Sequence, residues 1–308
     1  MARLARDGHI PGMAAIELIL VPYDAGHREV GTGRGPRHLM ERELPEALTA
    51  DGHQVVVTEV VTPYDAAGEV AVAFDLARGI ADAVRVARQA ARLPLVVSGS
   101  CFSAMGVVAG LEADRTGVLW VDAHGDLNTP ETTRTGALDG MALAAVSGRC
   151  WRGMAHTIPG FAPLPDHRLA MVGVRVLDPP EKALAAALGI RRLRCAELAR
   201  DDSEKVVAGL VERMCQLVDQ FYVHVDLDVL DPEVARANQL VPPDGLRLQD
   251  VLTVVEMAGR GCGIAGASLV AYDPDVDRDG RAADAAFAIA RSIANAAGRA
   301  AAGKGDRT

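Results

Sequence analysis

No run rich in Lys and Arg occurs in this sequence, and its 32 Lys and Arg are outnumbered by 41 Asp and Glu, for a net charge of −9. That balance argues against nucleic acid or an anionic membrane as partner, and it suits a cationic small molecule. No stretch approaches the ~18 uninterrupted apolar residues of a membrane-spanning helix, and the start lacks the apolar core and cleavage site of a secretory signal. Cysteine is scarce. Cys101, Cys150, Cys195, Cys215 and Cys262 are odd in number and dispersed, which speaks against a disulfide framework and reads as reduced thiols in a cytoplasmic protein. No repeat of roughly 20–50 residues is present, so a solenoid is excluded. What remains is a chain of 308 residues, 49% hydrophobic, able to bury one large core. We read a single domain over 1–308, with residues 1–13 and 300–308 poorly ordered.

The pattern along the chain is α/β. Ala15 to Tyr23 reads as a first strand and Val55 to Val61 as a second, by their β-branched content. Glu69 to Arg92 reads as a long helix with apolar spacing near 3.6, ending before Pro94. Gly31 to Pro36 reads as a glycine loop leading into a helix near Arg37, and further Ala-rich helices begin at Ala183 and Ala282. Alternating strands and helices predict a parallel sheet, with any ligand at the carboxyl ends of its strands.

Two stretches place chemistry there. In Leu119-Trp120-Val121-Asp122-Ala123-His124-Gly125-Asp126 an apolar run delivers Asp122, His124 and Asp126 at alternate positions, so in an extended strand all three project to one face. Such a cluster is costly to bury unless a cation sits within it; the plainer explanation is a strand running into an acidic surface turn. Phe221 to Pro232 repeats the pattern with Asp226 and Asp228, and His224 shares their face. Two acidic strand ends far apart in sequence are what a two-metal site requires. Oxygen-rich ligation with an imidazole favours Mn²⁺.

These residues carry a resemblance. The D-A-H-x-D-x-N-T-P-x-T-T run from Asp122, the D-x-D-x-L-D-P run from Asp226 and the G-x-G-x-G-P run from Gly31 are similar to the arginase and agmatinase (ureohydrolase) family, from about Ile16 to about Ala294. The resemblance implies a three-layer α/β/α fold with a central, mostly parallel sheet, two Mn²⁺ ions, a homo-oligomer, and hydrolysis of a guanidine to urea plus an amine. It implies that Asp122 and Asp226 bridge the metals, with Cys101 and Asp126 completing one site and His124 and Asp228 the other. Asn128, Thr135 and Asp178 fall where the family contacts the amino-acid end of its substrate. Asp-Pro-Pro-Glu from Asp178 is equally well explained as a capped helix start.

Three positions depart from the family pattern. Cys101 stands where a ligating His is usual; a thiolate there tilts that side toward Zn²⁺ or Fe²⁺, whereas the plainer explanation is an inert buried thiol. Asp139 replaces the His that assists proton transfer, leaving Asp139, His224 or water as the proton route; Asp139 could instead hold a cationic nitrogen of the substrate, and His224 could instead support the metal ligands. For His224 the plainer explanation is a core-edge imidazole bonded to backbone. Ala271 replaces the Glu that grips the guanidinium. Together they suggest an altered guanidine, similar in kind to the family's N-ω-hydroxyarginine hydrolase variant. The alternatives are the same chemistry on agmatine, guanidinobutyrate or formimidoylglutamate, and a non-catalytic homologue that binds a ligand or a partner protein.

Overall fold

The computed structural model describes residues 13–63, 68–111, 113–200 and 202–305. Residues 1–12 and 306–308, on which most of the expected disorder falls, lie outside them. Eight strands form one sheet: β1 (Ala15–Val21), β2 (Gln54–Glu59), β3 (Leu93–Ser98), β4 (Thr116–Val121), β5 (Leu169–Val172), β6 (Arg191–Leu193), β7 (Gln220–Asp226) and β8 (Ile264–Val270), in the order β2-β1-β3-β8-β7-β4-β5-β6. Every pairing between them is parallel. The central strands are buried on both faces, as the unbroken apolar runs predict.

Alternation along each strand divides its side chains between two cores. Val118 and Trp120 enter one with the helix Glu69–Gln89; Leu119 and Val121 enter the other with the helices Leu248–Arg260 and Arg281–Gly305. The result is the three-layer α/β/α arrangement expected from the sequence. The helix Ala104–Gly110, which follows Cys101, packs directly on Glu69–Gln89 because Gly106 has no side chain: a Cβ there would lie 2.6 Å from both the Ala77 carbonyl oxygen and Ile80 Cβ.

Three local expectations are corrected. The Gly31 loop is a 3-10 turn, Gly31–Arg34, running straight into the helix Gly35–Glu41, with Pro36 in its first turn. The long helix stops at Gln89, and Pro94 lies inside β3. The stop is set by Ala91 at φ 54° and by the Arg92 amide, which donates to the Ala87 carbonyl at 2.8 Å. The second strand is Gln54–Glu59, at the sheet edge.

Candidate metal centre

β3, β8, β7 and β4 are neighbours in the sheet, so residues just past their carboxyl ends meet at one place. Cys101 follows β3, Asp122 follows β4, and Asp226 closes β7. The acids do not converge by strand alternation alone. β4 ends at Val121, Asp126 takes the left-handed conformation at φ 50°, and Asp228 sits in a 3-10 turn, Leu227–Val229, past β7. Bends bring together what an extended strand would have separated along its length.

Backbone and side-chain bonds hold the arrangement. The His124 amide donates to Asp122 Oδ1 at 2.6 Å, the Ala123 amide to Asp228 Oδ1 at 3.2 Å, and the Asp228 amide to Asp226 Oδ1 at 2.7 Å. The Cys101 thiol donates to Asp226 Oδ2 at 3.1 Å, and Trp120 Nε1 donates to Asp122 Oδ2 at 3.0 Å. Among the described residues, two groups each bring their donor atoms within 4.8 Å of one another: an inner, buried one of Cys101, Asp122 and His224, and an outer one of Asp122, His124 and Asp228. They share Asp122.

The electrostatics are those of a site built for positive charge. Burial, then repulsion from Asp228, pushes the Asp122 carboxyl up to about 6. Burial and the neighbouring acids raise Asp126 and Asp226 well above the usual carboxylate range, and burial raises the Cys101 thiol likewise. Burial opposes a charge on His124, but its bonds to Asp122 and Asp228 outweigh this and raise it to about 12. Among the described residues, Asp126 Oδ2 and His224 Nε2 are buried without a hydrogen-bond partner. Orphaned donor atoms beside repelling carboxylates fit divalent cations, and their binding must displace these protons.

A cleft of about 570 Å³ opens over the centre, lined by Cys101, Asp122, His124, Asp126, Asp226 and Asp228 at its metal end. Asn128, Thr135 and Asp178 line it as well, and Asn128 Nδ2 donates to Asp178 Oδ2 at 3.1 Å. Asp178 also precedes the helix Pro179–Ala187, and its amide donates to Glu181 Oε2 at 2.7 Å, so Asp178 caps that helix as well as lining the cleft. Asp139 lines the same cleft, accepts from the Ser100 hydroxyl, and is pushed up to about 6 by burial. His224 is the residue that does not reach the cleft. It lies close to Cys101 and Asp122 with no exposed surface, bonded through Nδ1 to the Tyr222 hydroxyl rather than to backbone, and burial lowers it to about 3. An imidazole so placed is a poor proton shuttle to bulk water.

Three positioning residues escaped the sequence reading. Trp120 shares Asp122's face two residues upstream, a relation that strand alternation could have found. Glu181 holds the metal loop as well as the helix, accepting from the Leu127 amide at 2.9 Å. Arg175 spans the gap between β5 and β7: Nη2 donates to the Asp228 and Pro242 carbonyls at 3.0 and 2.8 Å, and Nη1 to the Val229 carbonyl at 3.1 Å. Only a planar fork serves these oxygens together. Arg175→Met is expected to cost ~2–4 kcal/mol of stability by orphaning them, and to lower outer-group metal affinity by releasing Asp228. Arg175→Lys should recover only part of either. Chemical denaturation and metal titration check both; unchanged metal affinity in the Met variant would refute the positioning role.

The chain matches the family model described as "Arginase family" over residues 14–295. It is 33% identical over 218 residues to an arginase of Bacillus caldovelox, covering 70% of this chain and 72% of that relative. The crystal structure of arginase from Bacillus subtilis is similar with a TM-score of 0.83 at 26% identity, covering 91% of this chain and 98% of that one. The fold is shared at a TM-score of 0.69 and 19% identity with agmatine ureohydrolase of Thermoplasma volcanium, covering 96% and 92% of the two chains.

Proposed function

This chain belongs to the arginase family of metal-dependent amidinohydrolases, and from that premise we propose that it hydrolyses an arginine-like guanidine with an N-hydroxylated head, releasing hydroxyurea and an amine. The observation that supports this substrate is that the three departures from the family pattern, Cys101, Asp139 and Ala271, line one cleft. An unmodified guanidinium loses at Ala271 a charge-assisted partner worth ~1.5–3 kcal/mol. Asp139 adds a carboxyl group in the same cleft, able to accept a hydrogen bond from an N-hydroxyl group.

Asp122, His124, Asp126, Asp226, Asp228 and Cys101 would hold two divalent cations. We assign Mn²⁺ to the oxygen-rich positions, with Zn²⁺ or Fe²⁺ favoured at the Cys101 side. When bound, such a pair supplies Lewis acidity that makes water a nucleophile near neutral pH. Asp139, raised to about 6, exchanges a proton with the leaving nitrogen within the working pH range. Asn128 and Asp178, bonded to one another, orient the amino-acid end, and exposed Thr135 contacts it at the rim. Five free cysteines support a reducing, cytoplasmic setting. The family resemblance also implies a homo-oligomer; sedimentation as a single species of 32.3 kDa would exclude it.

Mass spectrometry of the manganese-loaded protein against arginine, N-ω-hydroxyarginine, agmatine and guanidinobutyrate tests the reading. Turnover of the hydroxylated substrate alone is expected. Ala271→Glu should then raise turnover of plain arginine ~10-fold or more, the rate equivalent of one restored charge-assisted bond. If arginine is the preferred substrate of the wild type, the N-hydroxyl assignment fails.

A further inference from the structure

We infer that His224 is a metal ligand, binding the inner cation together with Cys101 and Asp122. The inference deepens the binuclear reading above and rests on it. Four observations converge on the ring. One of its ring nitrogens lies within 4.8 Å of the donor atoms of Cys101 and Asp122, all three residues being buried; with ligand bonds of ~2.0–2.3 Å, donors on opposite sides of one ion stand up to ~4.5 Å apart, so small shifts close the set. Among the described residues Nε2 has no hydrogen-bond partner, although the residue has no exposed surface, and a buried imidazole nitrogen left unpaired is costly unless it serves a ligand. Nδ1 is 3.0 Å from the Tyr222 hydroxyl, which is 2.8 Å from Ser268 Oγ. With the Tyr222 proton directed to Ser268, Nδ1–H donates to Tyr222 and Nε2 keeps its lone pair, the tautomer that ligation requires. Finally, the ring is stacked on Trp120, with centroids 3.7 Å apart and planes 8° from parallel, and Trp120 itself donates to Asp122. The ring plane and the shared carboxylate are therefore fixed by one side chain.

The consequence is a centre with two unlike halves. The outer group offers one imidazole and carboxylate oxygens, whereas the inner group adds sulfur and an imidazole nitrogen to its carboxylates, a softer set that prefers Zn²⁺, Co²⁺ or Fe²⁺ to Mn²⁺. Cys101 alone would make the inner half a lone thiolate among acids. His224 makes it a Cys/His/Asp site.

The test uses the full chain, stripped of metal and titrated with Co²⁺, reading metal content after dialysis and the thiolate-to-cobalt absorption. The wild type should bind two ions, one of them carrying the thiolate band. His224→Phe keeps the stack on Trp120 without the nitrogens; it should weaken the inner ion at least ~10-fold, shift its visible bands and leave the outer ion in place. Tyr222→Phe, which removes the partner that fixes the tautomer, should weaken the inner ion ~10-fold. Zinc K-edge absorption of the unaltered protein gives an independent reading that does not depend on any variant folding: His124 and His224 together contribute an average of one imidazole per ion, whereas half an imidazole per ion overturns the proposal. Wild-type affinity and spectrum in His224→Phe also overturn it, with the binuclear reading intact. A wild type that binds no metal overturns both.

Discussion

Asp226→Ala is expected to abolish metal binding and turnover together. The Asp226 carboxylate is buried at the end of β7, accepts from the Cys101 thiol through one oxygen and from the Asp228 amide through the other, and so ties one donor of the inner group to one of the outer. Its loss removes a proposed ligand and releases both neighbours. Metal-dependent stabilisation of the reaction is worth several kcal/mol, so kcat/KM should fall by ~10³-fold or more. The fold should survive. Asp226 is raised well above the usual carboxylate range by burial and by Asp228 and Asp122, and relief of that burial cost offsets part of the loss of its bonds from the Cys101 thiol and the Asp228 amide, so the metal-free variant should stay folded. Retention of either metal or turnover would remove Asp226 from the centre.

The second large effect is a reversal of the pH dependence of stability on stripping the metals. In the metal-free chain Asp122 is raised to about 6, and Asp126 and Asp226 further, all chiefly by burial. An acid with a raised folded pKa binds its proton more tightly when folded; its contribution is present below the unfolded value of ~4 and is lost as pH rises through the folded one. His124, raised to about 12, acts in the same direction above its unfolded value of ~6.5. The chelated protein should therefore gain stability from about pH 7.5 down to about pH 6.5, by up to ~1.4 kcal/mol per pH unit for each buried acid that titrates there; below ~6.5 the buried His224, lowered to about 3, acts in the opposite direction.

With saturating cation the sign inverts, because protons compete for the same lone pairs. Two sites filled at ~100 times their Kd add ~5 kcal/mol near neutrality, or ~10 °C or more in Tm. Calorimetry in chelator and in Mn²⁺ at the two pH values decides it. Parallel slopes in the two series would mean that these carboxylates do not hold the cations.

Much of this was legible in the sequence. Unbroken apolar runs predicted the buried parallel strands, and the acidic residues after two of them marked the carboxyl end of the sheet. Illegible was how the acids converge. Alternation places side chains only while the backbone stays extended, and here Asp126 turns left-handed and Asp228 sits in a 3-10 turn. Those bends are held by partners distant in the chain, such as the Ala123 amide on Asp228 and the Arg175 fork on the Asp228 carbonyl. His224 shows the same limit. Its strand face followed from its spacing to Asp226, but whether it faced cleft or core depended on the Tyr222 hydroxyl and the Trp120 ring around it.

The position of Trp120 has an optical consequence. The chain has two tryptophans, and this one lies flat on His224 while its indole N–H rests on Asp122. Any ion that draws on either residue alters the charge and the quenching environment within van der Waals reach of the fluorophore. Filling of the centre should thus be visible as a change in intrinsic emission. A paramagnetic ion such as Mn²⁺ or Co²⁺ should dim it and Zn²⁺ should not, and a Trp120→Phe chain, in which Trp151 alone emits, should stay silent to both.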